Sequence, residues 1–156
     1  MTHIVHAAAE DIRSEDSLQL IKELSEELGL LYGGDGTAGF QLSDVEVPRA
    51  AFIVARIDGY PVGCGALRPL DETSVEVKRM YTRSGYRRKG IAQAILAEAE
   101  RLANELGYTN LKLQTGPLQP EAAALYERVG YYRIPVFSGN WDRVLAYQKD
   151  LIHEKV

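Results

Sequence analysis

Arg87, Arg88, Lys89 and Gly90 stand in the run RSGYRRKGIA, where consecutive cations end on a glycine and an apolar-striped segment begins at once. Such a run is suited to holding an anion. If a helix starts after Gly90, its first four amides have no intrahelical acceptor, and the helix dipole adds roughly 0.3–1 kcal/mol for a negative charge placed there. Gly90 lets the backbone approach a phosphate closely, and Ala92 keeps the next turn narrow. Lys78, Arg79 and Arg83 lie just upstream, so six of the 18 Lys and Arg fall within twelve positions. Gly85 and Gly90 have the spacing of a nucleoside-triphosphate loop, but Ile91-Ala92 replaces the Lys-Ser/Thr that such a loop needs. A solvated basic turn would have the same composition.

The chain around this loop is acidic overall, with a formal net charge of -4 over 156 residues. That balance argues against a general nucleic-acid or membrane-surface binder. Hydrophobic residues at 46% and charged residues at 26% are ordinary globular values. A chain of this length buries roughly 68–70% of its unfolded surface, enough for one core without staples. Cys64, between Gly63 and Gly65, is the one cysteine, so no intramolecular disulfide can form and a small packing role is expected. The start MTHIVHAAAEDIR has neither a cationic opening nor a long apolar run, so a cytoplasmic protein is expected. His3, His6 and His153 show no metal-ligand spacing, and no metal is expected.

The elements that must position the loop follow from periodicity. Ile4 to Ala8 predicts a short strand, and a helix starts at Ser14 or Asp16 with Leu20, Ile21, Leu24 and Leu28 on one face, ending at Gly29. Residues 30–49 hold no sustained period and predict a mobile or partly helical loop on the substrate side. Gly34, Gly36 and Gly39 match the dinucleotide fingerprint there, but no strand precedes them and no helix follows. Ala51 to Ile57 and Val62 to Leu67 form a hairpin over Asp58-Gly59, and Thr73 to Tyr81 continues the meander. After Gly90, the spacing of Ile91, Ile95, Ala99, Leu102 and Leu106 predicts a helix stopped by Gly107, with Glu98 and Arg101 outside. Leu111 to Thr115 then completes a βαβ unit with parallel strands and a right-handed crossover. A short helix runs from Gln119 or Pro120 to Arg128, and Tyr131 to Val136 and Arg143 to Asp150 are the last strands, separated by an irregular FSGNW loop.

RRKGIA fits R/Q-x-x-G-x-G/A, and AAALYERVGY fits A-x-x-LYE-x-x-GF. In this order, with VEVKRMYT before the loop and a striped helix and a strand between, the segment from Ala51 to Leu151 resembles the GNAT superfamily of acyl-CoA-dependent N-acetyltransferases. The resemblance implies a single α/β (α+β) domain over 1–156: a mixed, mostly antiparallel sheet of about seven strands, helices on both faces, and acetyl-CoA between the fourth and fifth strands. It implies that Arg87, Arg88, Lys89, Gly90, Ile91, Ala92 and Gln93 hold the pyrophosphate and that Met80, Tyr81 and Thr82 lend backbone groups to the pantetheine arm. An extended amide-bearing arm can pair with an exposed strand edge in this way. Family members often carry Asn at the position of Gln119, which keeps the amide on a longer arm.

The resemblance further implies that Tyr126 is the general acid toward the departing thiolate and Glu76 the general base. Both roles are chemically reasonable. A phenol of pKa about 10 protonates a thiolate of pKa about 8.5 only from within hydrogen-bond reach. A lysine-like amine is neutral about once in 2,500 at pH 7, a deficit of roughly 4.6 kcal/mol, so a base is useful. Packing of the Tyr126 ring, and pairing of Glu76 with Lys78 or a neighbouring strand, are the competing roles. The expected activity is direct acetyl transfer to a primary amine, with backbone N–H groups near Met80 facing the developing oxyanion. The alternative is a non-catalytic acyl-CoA-binding or sensor domain, which would need neither Tyr126 nor Glu76. The expected partner is a small-molecule amine, with no nucleic acid and no membrane, and a homodimer is left open. Acceptor choice falls to residues 30–49 and 135–142.

Overall fold

Ser14 begins the first helix because its side-chain oxygen accepts the Ser17 N–H at 3.2 Å, and Glu15 and Asp16 place negative charge on the first turn. The computed structural model of the chain describes residues 4–139 and 143–151. His3, His153 and residues 140–142, which include the end of the FSGNW loop, lie outside them. The helix, α1 (Glu15–Tyr32), buries Leu20 and Leu24 and leaves Ile21 and Leu28 half-buried. It does not stop at Gly29. The cap falls at Gly33 (φ 88), and Gly29 is needed for space: a Cβ there would lie 2.7 Å from the Gly34 carbonyl oxygen. The chain turns back so tightly that a Cβ on Gly36 would lie 1.8 Å from the Ser25 carbonyl oxygen. Residues 34–39 are therefore laid on α1, and a short 3-10 turn at Leu42–Val45 follows.

The sheet has seven strands among the described residues: β1 (Val5–Ala9), β2 (Ala51–Ile57), β3 (Tyr60–Pro69), β4 (Ser74–Thr82), β5 (Asn110–Thr115), β6 (Tyr132–Ile134) and β7 (Leu145–Asp150). Their order is β1-β2-β3-β4-β5-β7-β6. All neighbours are antiparallel except β4 and β5, which α2 (Ile91–Glu105) joins as the expected βαβ unit. Strand β6 is shorter than the expected Tyr131–Val136. Tyr131 leaves the strand to bury its ring, with its hydroxyl 3.2 Å from Glu100, and Pro135 has no N–H for the ladder.

Alternation along β2 separates two cores. Phe52 and Val54 pack with Leu20 of α1, Cys64 and Ala66, whereas Ile53 and Ala55 pack with Ile91, Ile95, Leu96 and Ala99 of α2. The second core also takes Ala123 and Tyr126 of α3 (Pro120–Arg128). Cys64 is fully buried, and burial pushes its thiol well above the usual range, so its role is packing. Each fully buried Ile or Leu side chain contributes about 1.5–3 kcal/mol, against about 0–1 for an exposed ion pair. The position of α2, and of the basic loop on its N-terminus, is therefore set by the apolar face.

Candidate active site

The parallel pairing of β4 and β5 stops early. It runs from Ser74↔Asn110 to Val77↔Leu113, after which Lys78–Thr82 and Gln114–Thr115 separate. On its other side β4 carries a bulge: between the pairs Cys64↔Tyr81 and Ala66↔Lys78, both Arg79 and Met80 stand against Gly65 alone. Arg79 is at φ 56 there, an uncommon backbone region for a residue with a Cβ. The bulge reverses the alternation. Glu76 and Lys78 face the α1 side, and so do Arg79, whose guanidinium donates to the Gly36 carbonyl at 2.8 Å, and Tyr81, whose hydroxyl donates to Glu23 on α1 at 3.1 Å. Met80 turns to the α2 side.

The split between β4 and β5 opens the sheet into a cavity of about 450 Å³, lined among others by Leu24 and Leu28 of α1 and Tyr126 of α3. Gln114 frames it by accepting the Phe137 and Ser138 N–H groups at 2.9 and 3.2 Å. Tyr32, at the last turn of α1, donates to Gln119 Oε1 at 3.2 Å and fits over Gly116, where a Cβ would lie 2.1 Å from its hydroxyl. Gln119 and Met80 both line the cavity.

Tyr126 is 5% exposed, with its ring centroid 5.9 Å from that of Tyr131 and 6.0 Å from that of Tyr147. Its ring is packed as a core residue would be, yet its hydroxyl makes no hydrogen bond among the described residues. Burial alone pushes this phenol up to about 12, so it stays protonated across the physiological range. The side chain is buried, yet it lines the cavity and its hydroxyl has no protein partner among the described residues.

Glu76 is 2% exposed and lines the same cavity. Its Oε1 accepts from Arg68 at 2.7 Å, across the pair Arg68↔Glu76 of β3 and β4, while its Oε2 lies 4.0 Å from Lys78 Nζ. Arg68 also donates to Asp44 at 3.0 Å and to the Gly39 carbonyl at 2.9 Å, tying the 34–45 segment to the sheet. One carboxylate oxygen is thus fixed and the other is open to a ligand.

The basic loop lies at the end of β4. Gly90, at φ 79, is the N-cap of α2, with no side chain capping the first turn, and the ladder begins with the Ala94 N–H on the Gly90 carbonyl. Arg88 shares the left-handed conformation at φ 63. Arg87 donates to the Thr82 carbonyl at 3.2 Å and pairs with Glu27 of α1. Arg88 lies 3.7 Å from Glu121, both largely exposed, and Lys89 sits 5.7 Å over the Tyr86 ring. Exposed pairs of this kind are worth about 0–1 kcal/mol, so they exchange readily for a stronger anion.

Of the residues singled out in the sequence, the cavity joins Glu76, Met80, Gln119 and Tyr126. Thr82, Arg87, Arg88, Lys89, Gly90, Ile91, Ala92 and Gln93 stand apart from it, along the end of β4 and the start of α2, and the Tyr81 side chain turns to α1. The cations that look like one cluster in the sequence divide in the fold: Lys78 and Arg79 line the cavity, Arg83 binds Glu23 at 2.7 Å, and three remain at the loop. Arg68, Tyr32 and Gln114 carried no sequence signal, because each acquires its role through a distant partner. Among the described residues no group of three His, Cys, Asp or Glu could hold a metal, and no helix is long and apolar enough to cross a membrane.

Residues 9–131 match the profile of the acetyltransferase (GNAT) family, a match that begins well before Ala51. The IAA acetyltransferase of Azospirillum brasilense is 35% identical over 81% of this chain and 84% of its own. Among solved structures, a GNAT-family acetyltransferase from Staphylococcus aureus covers 96% of this chain and 100% of its own at 17% identity and TM-score 0.77. The PaiA N-acetyltransferase of Thermoplasma acidophilum, solved with coenzyme A, covers 94% of this chain and 99% of its own at 15% identity and TM-score 0.74. These two share the fold, and the matching profile and the Azospirillum relative settle the family: the chain belongs to the GNAT family and is an acetyl-CoA-dependent acetyltransferase.

Proposed function

We propose that the chain transfers an acetyl group from acetyl-CoA directly to a primary amine of a small molecule, in the cavity between β4 and β5. Tyr126 carries this reading: a protonated phenol, buried yet unpartnered among the described residues, lines the space that the split in the sheet creates. The free amides of Ile91, Ala92 and Gln93, with Arg87, Arg88, Lys89 and Gly90, hold the pyrophosphate. The unpaired edge of Met80, Tyr81 and Thr82 receives the pantetheine arm, and Gln119 faces it from the start of α3. The Gln119 amide nitrogen is the group left for that contact, since its oxygen is occupied by Tyr32.

Glu76 accepts the proton of the acceptor ammonium through its open oxygen, with Arg68 fixing the other. The neutral nitrogen bonds to the acetyl carbon as the carbon–sulfur bond breaks, and Tyr126 gives its proton to the leaving sulfur. The acylated nitrogen loses its second proton through solvent to the Tyr126 phenolate, and Glu76 releases the first to solvent, so that one proton leaves the site in each turnover. Fixing both reactants in one cavity supplies the proximity term, so no covalent enzyme intermediate is required. The test is release of CoA thiol from acetyl-CoA in the presence of a broad amine panel. Turnover with at least one amine supports the proposal, and tight CoA binding with no transfer to any member refutes it.

A further inference from the structure

Among the described residues, the lining of the cavity carries two cations and one carboxylate. Apart from tyrosines, the ionisable lining among the described residues consists of Glu76, Lys78 and Arg79. Glu76 is already engaged by Arg68, which also serves Asp44. Lys78 makes no hydrogen bond among the described residues, and its closest carboxylate oxygen, on Glu76, is 4.0 Å away, beyond hydrogen-bond range. Arg79 is 8% exposed and forms no ion pair among the described residues. It donates to the carbonyls of Gly36 at 2.8 Å and Ala38 at 3.5 Å, which leaves N–H groups of the guanidinium over. Asp35 acts on it only through space and is itself occupied by Thr37. Arg79 is therefore a buried cation without an ion-pair partner among the described residues, which is costly, while Lys78 shares with Arg68 the one carboxylate of the lining, and burial pulls both Lys78 and Arg79 below their ordinary range.

Consecutive residues of a strand normally face opposite sides. The bulge at Arg79 is what brings both cations to the α1 side, at the cost of a left-handed backbone. The fold therefore concentrates positive charge beside the open oxygen of Glu76.

We propose that the acceptor is an α-amino acid or close analogue, whose carboxylate is held by Lys78 and Arg79 while its amine faces Glu76. This rests on the acetyl-transfer proposal above. The spacing favours a short acceptor. With hydrogen bonds of about 2.8 Å from the amine to Glu76 and from the carboxylate to Lys78, the 4.0 Å between the two protein atoms is spanned by groups attached to a single carbon. A polyamine would instead meet two cations with one engaged carboxylate to offset them. Leu24 and Leu28 give the acceptor side chain an apolar wall.

The experiment compares kcat/KM for the proteinogenic amino acids, each beside its amide and its decarboxylated amine, with spermidine included. The amide keeps the amine and removes only the negative charge. The best amino acid should exceed both matched compounds at least tenfold. Lys78→Met should collapse that ratio toward one, and Lys78→Arg should keep most of it. The ratio is internal to each variant, so partial misfolding does not move it. Equal or faster transfer to the amide, the plain amine or spermidine overturns the amino-acid inference alone, as does a Lys78→Met variant with the ratio intact. No transfer to any compound overturns both the inference and the reaction on which it rests.

Discussion

Replacing Tyr126 with phenylalanine removes one oxygen from a side chain whose ring is held between Tyr131 and Tyr147. No protein hydrogen bond among the described residues is lost with it. The variant should therefore fold with unchanged or slightly higher stability, within about 1 kcal/mol of the parent by urea denaturation. Catalysis should respond very differently. A positioned general acid contributes about 10²–10⁴ in rate, or roughly 2.7–5.5 kcal/mol of barrier, so kcat should fall by that factor while KM for acetyl-CoA changes little. The alkaline behaviour supplies a second signature. The Tyr126 phenol is pushed up to about 12 in the fold, against about 10 unfolded. Its contribution to stability is present below pH 10 and is lost as pH rises from about 10 to about 12, and the phenylalanine variant should lack this share of the decline. Kcat undiminished in a well-folded Tyr126→Phe protein would refute the general-acid role. A large loss of stability would show that the hydroxyl has a structural partner.

Glu23 is held at about 2, chiefly by its hydrogen bonds from Arg83. Its contribution is present above the ordinary 4.5 and is lost as pH falls from there to about 2, so Glu23→Gln should cost about 1.5–3 kcal/mol at pH 7 and flatten the acid limb of a denaturation series. Arg68→Met leaves the buried Glu76 carboxylate with Lys78 at 4.0 Å as its remaining cation, a loss of about 3–5 kcal/mol that adding Glu76→Gln should largely recover in a double-mutant cycle. Gly90→Ala meets no neighbouring atom within 4 Å but must adopt φ 79. The left-handed penalty of about 1–2 kcal/mol should appear as a five- to thirtyfold rise in KM for acetyl-CoA, read from initial rates, with little change in kcat.

Most of the scaffold was legible because its signals are local. The apolar stripe of α2, the Asp58-Gly59 hairpin and the Ser14 cap each depend on residues a few positions apart, and each stands where periodicity placed it. The end of α1 was misplaced because Gly29 resembles a stop when only its own segment is considered. Its actual reason, contact with the Gly34 carbonyl, depends on how the chain returns. The bulge at Arg79 was harder to read: VEVK alternates and the phase breaks at Lys78-Arg79, but only the pairing with β3 reveals that the two share a side. The same holds for Tyr32 on Gln119, which are joined by folding across 87 positions. The proposed donor half of the site lies in a contiguous stretch with recognisable chemistry. The proposed acceptor half draws on residues far apart in the chain, and its charges come together only on folding.

The most direct test is a single-turnover reaction with labelled acetyl-CoA and an accepted amine, analysed by mass spectrometry of product and protein together. Direct transfer between β4 and β5 predicts one acetylated amine for each CoA thiol released and no acetyl group on the chain. Release of CoA without acetylated amine, or a kinetically competent acetyl group on the protein, would contradict it.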